Sequence, residues 1–238
     1  TLADQRAHQI ILEGLTAIDG TIPVLSEESE LKSYTERKHW QRYWLVDPLD
    51  GTKEFIGRNG EFTVNVALIE QGEPIAGWVY VPVESVLYYG WAGSQSVACK
   101  EQKGKISAIT TRALNRSAPL DVVASRRHGG EELGVMLEKA KASFPEVQLN
   151  SYGSSLKICM VAEGLADWYP RLAPTSEWDT AAAHAILLAA GGALIDDLLN
   201  PLVYNQKESI LNPFFHALGD RVELRGNREF WLDLLVLN

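Results

Sequence analysis

Between residues 121 and 196, short apolar runs alternate with helical patterns, and this alternation constrains the fold more than any other feature of the sequence. Strands are predicted at 121–124, 147–151, 167–170 and 193–196, with helices at 130–143, 155–164 and 177–190 between them. Strands that alternate with helices are typical of an α/β unit, in which the helices cover the faces of a sheet. We therefore predict that the second half of the chain is α/β.

The first half is rich in strands and does not alternate in this way. Apolar residues at helical spacing predict a helix over 1–15, and a short helix is predicted at 52–56. The strands predicted here are 22–25, 42–46, 62–70, 74–83, 86–91 and 96–100, with a polar loop before residue 40 and a hairpin turn at 71–73. We expect an antiparallel α+β half over 1–115 and an α/β half over 116–238, with the boundary in 113–119.

The net charge of the chain excludes some classes of partner. The formal charge is −9 and the sequence pI is about 5.1. An acidic surface repels nucleic acid and anionic membranes, so we expect neither as a partner. It also repels an anionic substrate, whose site would need metal ions or clustered Lys and Arg side chains.

Cysteine content indicates a reducing compartment, and hydropathy argues against a membrane span. Cys99 and Cys159 lie far apart in the sequence, and we expect two free thiols. The longest uncharged run, 180–195, is too short to span a bilayer, and the sequence shows no basic and apolar leader. We expect a cytoplasmic protein without a membrane span; peripheral attachment at the inner membrane is left open, as is the choice between a monomer and a homodimer.

The segment Trp44-Leu45-Val46-Asp47-Pro48-Leu49-Asp50-Gly51-Thr52 carries the strongest chemical signal. Asp47 ends a predicted strand, and the following turn can bring Asp50 and the Leu49 carbonyl to the same side. Three oxygen ligands suit a hard cation such as Mg²⁺. Gly51 and Thr52 then open a short helix whose free amides could bind a phosphate group. The alternative is an ordinary turn in which an Asp caps a helix.

Two further acids could complete a metal site. Glu27 follows a predicted strand and can return beside Asp47, although a solvated acidic loop would look the same. Asp179 lies in a predicted helix start, where it could be a ligand or only a capping charge. Metals held by such a cluster can activate water and stabilise a leaving oxygen. The Thr52 hydroxyl and Asp4 could orient and deprotonate that water.

Three segments in this order resemble the signatures of the inositol monophosphatase superfamily. They are Ser26-Glu27-Glu28-Ser29, the segment from Trp44 to Thr52, and Trp178-Asp179-Thr180-Ala181-Ala182. The resemblance implies a lithium-sensitive, magnesium-dependent phosphatase with two or three Mg²⁺ ions. It also implies the layered α-β-α-β-α sandwich of the inositol monophosphatase and fructose-bisphosphatase type.

The resemblance assigns roles to individual residues. The implied metal ligands are Glu27, Asp47, Asp50, Asp179 and the Leu49 carbonyl. Thr52 would activate the water, and Asp4, in a segment similar to the family's T-x-x-D, would be its partner. The amides of Gly51 and Thr52 would hold the phosphate.

This sequence departs from the family pattern in two places. The family has a leading helix and a loop before the T-x-x-D segment, which this sequence does not contain. It also has Gly where this chain has Ala183, and we expect a slightly shifted helix there.

Three other segments are similar to the bisphosphate nucleotidase branch of the superfamily. They are 53–56, 153–157 and 169–172. By this resemblance, Ser154, Lys157 and Arg171 contact a nucleotide and its second phosphate, and His128, within 125–128, approaches the base and ribose. A substrate with two phosphates needs cations beyond the metals, and Arg can bind phosphate bidentately. The alternatives are an exposed helix residue for Lys157, the end of a strand for Arg171 and a surface loop for His128.

The implied reaction removes the 3'-phosphate of adenosine 3',5'-bisphosphate to give AMP, and whether phosphoadenylyl sulfate is also hydrolysed is left open. It would recycle a by-product of sulfate assimilation. Two alternatives stay open. One is an inositol or sugar monophosphatase of the same superfamily, and the other is a weakly catalytic regulator that binds metal and nucleotide.

Overall fold

In the computed structural model, which describes residues 1–125 and 130–236, the first half of the chain builds a seven-stranded sheet in the order β1-β2-β3-β4-β5-β6-β7. Its elements are α1 (Leu2–Asp19), β1 (Val24–Ser26), α2 (Tyr34–Arg37), β2 (Arg42–Asp50), α3 (Thr52–Ile56), β3 (Thr63–Glu70), β4 (Glu73–Val81), β5 (Val86–Trp91), β6 (Val97–Gln102) and β7 (Lys105–Ala108). β1 pairs with β2 in parallel, and the other neighbouring strands are antiparallel.

The second half builds a five-stranded sheet in the order β11-β12-β10-β8-β9. Its elements are β8 (Leu120–Ser125), α4 (Gly130–Lys141), β9 (Val147–Tyr152), α5 (Leu156–Ala162), β10 (Trp168–Arg171), α6 (Glu177–Ala190), β11 (Ala193–Ile195), β12 (Phe215–Leu218), α7 (Arg221–Gly226) and α8 (Arg228–Leu235). β8 is parallel to β9 and β10, as the alternation predicts, whereas β12 enters antiparallel between β10 and β11.

The helices and sheets form five layers, which three buried apolar clusters hold together. Leu15 of α1 packs on Trp44 and Val46, on one face of the first sheet. α5 and α6 lie between the two sheets in the largest cluster, and α4 and α8 cover the far face of the second sheet. Apolar burial of this kind is the main favourable term in folding. The predicted mixed α/β fold, with its layers of helix and sheet, is confirmed.

α6 approaches the first sheet unusually closely, because small residues face each other across the contact. A Cβ added at Gly77 of β4 would lie 2.1 Å from the carbonyl oxygen of Ala182. Ala183, where the family pattern has Gly, is fully buried in this helix. The room for close packing therefore comes from glycine on the strand side.

Several element predictions were incomplete. The polar loop before residue 40 contains α2, and β2 continues to Asp50, with a register shift between Asp47 and Asp50, instead of stopping at Asp47. The edge strand β7 was missed because it is only four residues long and has no buried face. β12, α7 and α8 were not predicted.

Other expectations are met in part. Cys99 and Cys159 are free and buried. Within the described ranges, no helix combines the length and apolar character that a bilayer crossing needs. The division at residue 115 stays a prediction: each sheet lies on one side of it, but α6 packs on the first sheet.

Candidate active site

Three aspartates from two distant parts of the chain meet at one end of the helix layer. Asp47 and Asp50 lie at the end of β2, and Asp179 lies in the first turn of α6. One carboxylate oxygen from each lies within 4.8 Å of the other two. Such a group of oxygens is a suitable ligand set for a divalent cation.

The local backbone fixes two of these carboxylates. The amide of Leu49 donates a hydrogen bond of 2.9 Å to Asp47 Oδ1. The amide of Ser176 donates one of 2.8 Å to Asp179 Oδ2 and completes a capping box at the start of α6. The capping interpretation of Asp179 is therefore correct, and the same side chain also belongs to the acid cluster.

Burial raises the pKa of all three aspartates, and repulsion from neighbouring carboxylates adds to the shift at Asp47 and Asp179. The Asp47 side chain is only 1% exposed, and burial, followed by Asp50 and Asp179, holds its pKa well above the ordinary value. Burial and then Asp50 raise the pKa of Asp179 to about 7. Burial raises that of Asp50, and Lys157 partly offsets this. A bound divalent cation would relieve this repulsion, so the donor set fits a metal ion.

Asp50 is tied to the segment before α5 by a buried polar network. The amide of Ser155 donates a hydrogen bond of 2.5 Å to Asp50 Oδ2. The Ser155 hydroxyl lies 2.9 Å from both Asn65 Oδ1 and Thr63 Oγ1. These bonds hold the cleft wall against the acid cluster.

Glu27 lies next to this cluster but outside the group of three. Its amide donates to the Val46 carbonyl at 3.2 Å, which holds the segment after β1 against β2. Partial removal from water raises the pKa of its carboxyl group, a hydrogen bond with Asp47 lowers it, and Asp50 and Asp4 raise it further. Glu27 is thus within electrostatic reach of the cluster. Its role as a ligand, and that of the Leu49 carbonyl, stay predictions.

Asp4 and Thr52 do not form the expected hydrogen-bonded pair. Asp4 is 4% exposed and accepts a hydrogen bond from the Thr1 hydroxyl. No hydrogen bond joins it to Thr52 anywhere in the described residues. Thr52 is half-buried at the start of α3, and Asp4 lies near Glu27. Their catalytic roles stay predictions.

One cleft brings most of the other predicted residues to the aspartates. Gly51, Ser154, Lys157 and Arg171 line it together with Asp50 and Asp179. Lys53, Glu54 and Tyr169 also line it; they lie in the segments 53–56 and 169–172, but no role was predicted for them. Sequence reasoning missed Tyr152, Thr175 and Phe215 as lining residues. His128 lies outside the described residues, although Ser125, which opens its segment, lines the same cleft.

Lys157 is a buried cation, so the alternative of an exposed helix residue is wrong. The side chain is 3% exposed, and Nζ donates to the carbonyls of Ser154 at 2.6 Å and Tyr152 at 3.2 Å. Nζ also lies 5.1 Å from the centre of the Tyr169 ring. Burial lowers the Lys157 pKa to about 8, although Asp50 acts in the opposite direction.

The backbone around the cleft adopts two conformations that few residues tolerate. Gly51 has a φ of 93°, in the left-handed region that favours glycine, and Ser154 has a φ of 46°.

Arg171 lies at the end of β10, two residues after Tyr169, and its guanidinium donates to the carbonyls of Ala173 and Pro174, each at 3.2 Å. Arg171 thus closes a strand, as one alternative held, and lines the cleft as well.

The two sheets, the helix layer between them and the aspartate cluster define a layered α/β protein of the metal-dependent phosphatase type. The chain belongs to the inositol monophosphatase family, whose model matches residues 1–224.

Individual relatives carry more specific names. The Salmonella typhimurium protein named 3'(2'),5'-bisphosphate nucleotidase CysQ is 54% identical over 217 residues, which are 91% of this chain and 84% of that protein. The Escherichia coli K12 protein of the same name is 51% identical, with the same coverage. The crystal structure of CysQ from Bacteroides thetaiotaomicron has 42% identity and a TM-score of 0.80, covering 92% of this chain and 83% of that one. Inositol monophosphatase II from Staphylococcus aureus shares the fold, with a TM-score of 0.74 at 20% identity, over 98% of this chain and 80% of that one.

Proposed function

We propose that this chain is a magnesium-dependent 3'(2'),5'-bisphosphate nucleotidase that converts adenosine 3',5'-bisphosphate to AMP and phosphate. The observation that carries the proposal is a cleft in which Asp50 and Asp179, two of the three clustered aspartates, meet the buried ammonium of Lys157 and the guanidinium of Arg171. An acid cluster alone suits many phosphate esters. The additional cations suit a substrate with a second phosphate. The names of the relatives at 51–54% identity support the same substrate class.

The acid cluster would hold the metal ions. Asp47, Asp50 and Asp179 form its centre, and Glu27 and the Leu49 carbonyl would complete the ligand set for two or three Mg²⁺ ions. When bound, magnesium supplies a nucleophilic water at neutral pH and neutralises charge on the phosphate. The raised pKa values of the three aspartates support this assignment, because a bound cation stabilises buried carboxylates and relieves the repulsion that acts on Asp47 and Asp179.

The chain's own groups would orient the reactants. Thr52 and Asp4 would position the attacking water and take its proton, after the two side chains approach each other. The amides of Gly51 and Thr52 would hold the phosphate that leaves. Inversion at phosphorus in a single in-line step requires the water and the ribose oxygen on opposite sides of that phosphate.

The second phosphate and the nucleoside would occupy the rest of the cleft. Lys157 and Arg171 would pair with the phosphate that stays on the product, and Ser154 would donate its hydroxyl to it. His128 is proposed to approach the base and ribose. We propose a cytoplasmic site of action, in line with two free cysteines. The sulfated nucleotide, phosphoadenylyl sulfate, is a second candidate substrate of the same site.

The test is phosphate release from adenosine 3',5'-bisphosphate as Mg²⁺ is titrated into protein stripped with EDTA. We expect release that depends on Mg²⁺ and is lost in Asp47→Asn. The matched control is Asp233→Asn, because Asp233 is exposed on α8, away from the cleft. Unchanged turnover in Asp47→Asn would refute the metal assignment. Tight nucleotide binding without turnover in the wild type would favour a regulator instead.

A further inference from the structure

A second concave site lies away from the acidic cleft, and the described residues that line the two sites do not overlap. This cavity has a volume of about 540 Å³ and is bounded by the start of β4, the second half of α6, β11 with its following loop, and α7. Its apolar walls come from Ile75, Leu188, Leu194, Leu199, Leu202 and Leu224. This volume and a largely apolar lining are typical of small-molecule sites.

Three arginines stand at this cavity, which we call the arginine cavity. They are Arg221, Arg225 and Arg228, from α7 and the first turn of α8. None of them makes an ion pair with any residue that the structure describes, and the only acid found in the lining is the exposed Glu73. Three arginines without an ion-pair partner among the described residues thus lie on one concave surface, and they create a local positive potential in a chain whose net charge is −9.

A buried polar group also lines the arginine cavity. His184 is 2% exposed, and its Nδ1 lies 2.9 Å from the hydroxyl of Tyr204. No hydrogen bond to Nε2 is found in the described part of the chain. Burial lowers the His184 pKa to about 3, so the ring is neutral at physiological pH. Nε2 therefore remains available to a polar group of a ligand.

We propose that the arginine cavity binds a small molecule that carries an anionic group on an apolar body. Arginine pairs with carboxylate or sulfonate through two parallel hydrogen bonds, and the leucine-rich walls would remove the apolar body from water. The arginines and the apolar walls each exclude ligands that the other alone would accept. A neutral apolar molecule leaves the arginines unpaired, and a small inorganic anion leaves the walls unfilled.

The test uses octanoate as the probe, measured by isothermal titration calorimetry with the whole chain in EDTA. We expect saturable binding of one octanoate per chain. Octan-1-ol has the same body without the charge and should bind about tenfold more weakly or worse, and acetate should not bind. Inorganic phosphate at the same concentration should not displace octanoate, because phosphate has no apolar body to fill the leucine-rich walls. Binding of octanol as tight as that of octanoate, or no saturable octanoate binding, would overturn the proposal.

Charge reversal locates the site. Arg228→Glu should raise the dissociation constant of octanoate about fivefold or more, which corresponds to the loss of one partly exposed charge pair. The variant should fold, since an acid in the first turn suits the helix dipole. Arg6→Glu, an exposed arginine on α1 outside this cavity, should leave the constant unchanged. Equal octanoate affinity in Arg228→Glu and the wild type, with circular dichroism confirming that both are folded, would refute the assignment.

Discussion

Replacing Lys157 by Met should change how the stability of this protein depends on pH. In the folded chain the pKa of Lys157 falls to about 8, from an ordinary value of 10.5. The folded state therefore holds the Lys157 proton less tightly than the unfolded state. Because each pH unit is worth about 1.4 kcal/mol, the charged lysine costs about 3 kcal/mol of folding free energy below pH 8.

The direction of this pH dependence follows from the number of protons that the folded and unfolded states bind. Between pH 8 and 10.5 the unfolded chain keeps the proton that the folded chain has lost, so the stability of the wild type rises with pH. Lys157→Met has no such group. The free energy of unfolding of the wild type minus that of the variant should therefore increase by about 3 kcal/mol over this interval, most of it by pH 10.

Urea denaturation at pH 7, 8, 9 and 10 measures this difference. EDTA is included because a cation beside Asp50 would add its own pH dependence. Lys105→Met is the control, since Lys105 is exposed on β7 and its replacement should give a flat difference. If the difference in the free energy of unfolding were also independent of pH for Lys157→Met, the Lys157 ammonium would be well solvated. Such a result would contradict the assignment of Lys157 as a buried cation that binds an anionic substrate.

Three other changes follow from the structure. Asp179→Asn should stabilise the protein in EDTA by about 1–3 kcal/mol at pH 8 but not at pH 4, because the raised pKa of Asp179 makes the folded protein less stable as the pH rises from 3.8 to about 7. Destabilisation of the variant at pH 8 in urea unfolding would contradict the acid cluster. Gly77→Ala should lower the free energy of unfolding by about 3 kcal/mol, since its Cβ would lie 2.1 Å from a carbonyl oxygen of α6. The control Gly134→Ala, with open space around it in α4, should raise the free energy of unfolding by about 0.5–1 kcal/mol. Equal effects of the two substitutions in urea unfolding would contradict the close packing of α6. Gly51→Ala should cost about 1–2 kcal/mol from its φ of 93° and reduce phosphate release, and an unchanged midpoint in thermal unfolding would speak against that backbone.

Local signals predicted the elements that carry the acids. α3 and α6 have the predicted bounds, because Gly51 before one helix and the Ser176 cap before the other mark where each begins. The strand before Asp47 is a continuous apolar run, which is typical of a buried strand. These features depend on neighbouring residues, so the sequence was sufficient to find them.

Features that depend on packing between distant elements could not be predicted. The burial of Lys157 results from α5 packing against β10, which places its ammonium beside Tyr169 and Asp50. The insertion of β12 between β10 and β11 reverses chain order within the sheet, and no local pattern specifies it. The expected pairing of Asp4 with Thr52 rested on their chemistry and on the family resemblance, and among the described residues Asp4 accepts a hydrogen bond from Thr1.

The cleft is proposed to select a substrate with two phosphates. The most direct measurement compares kcat/KM for adenosine 3',5'-bisphosphate and inositol 1-phosphate in Mg²⁺, with lithium added to matched samples. We predict strong, lithium-sensitive phosphate release from the nucleotide and little from inositol 1-phosphate, because Lys157 and Arg171 have a second phosphate to pair with only in the nucleotide. Equal or higher kcat/KM for inositol 1-phosphate would contradict the claim, while leaving the aspartate cluster as the metal site.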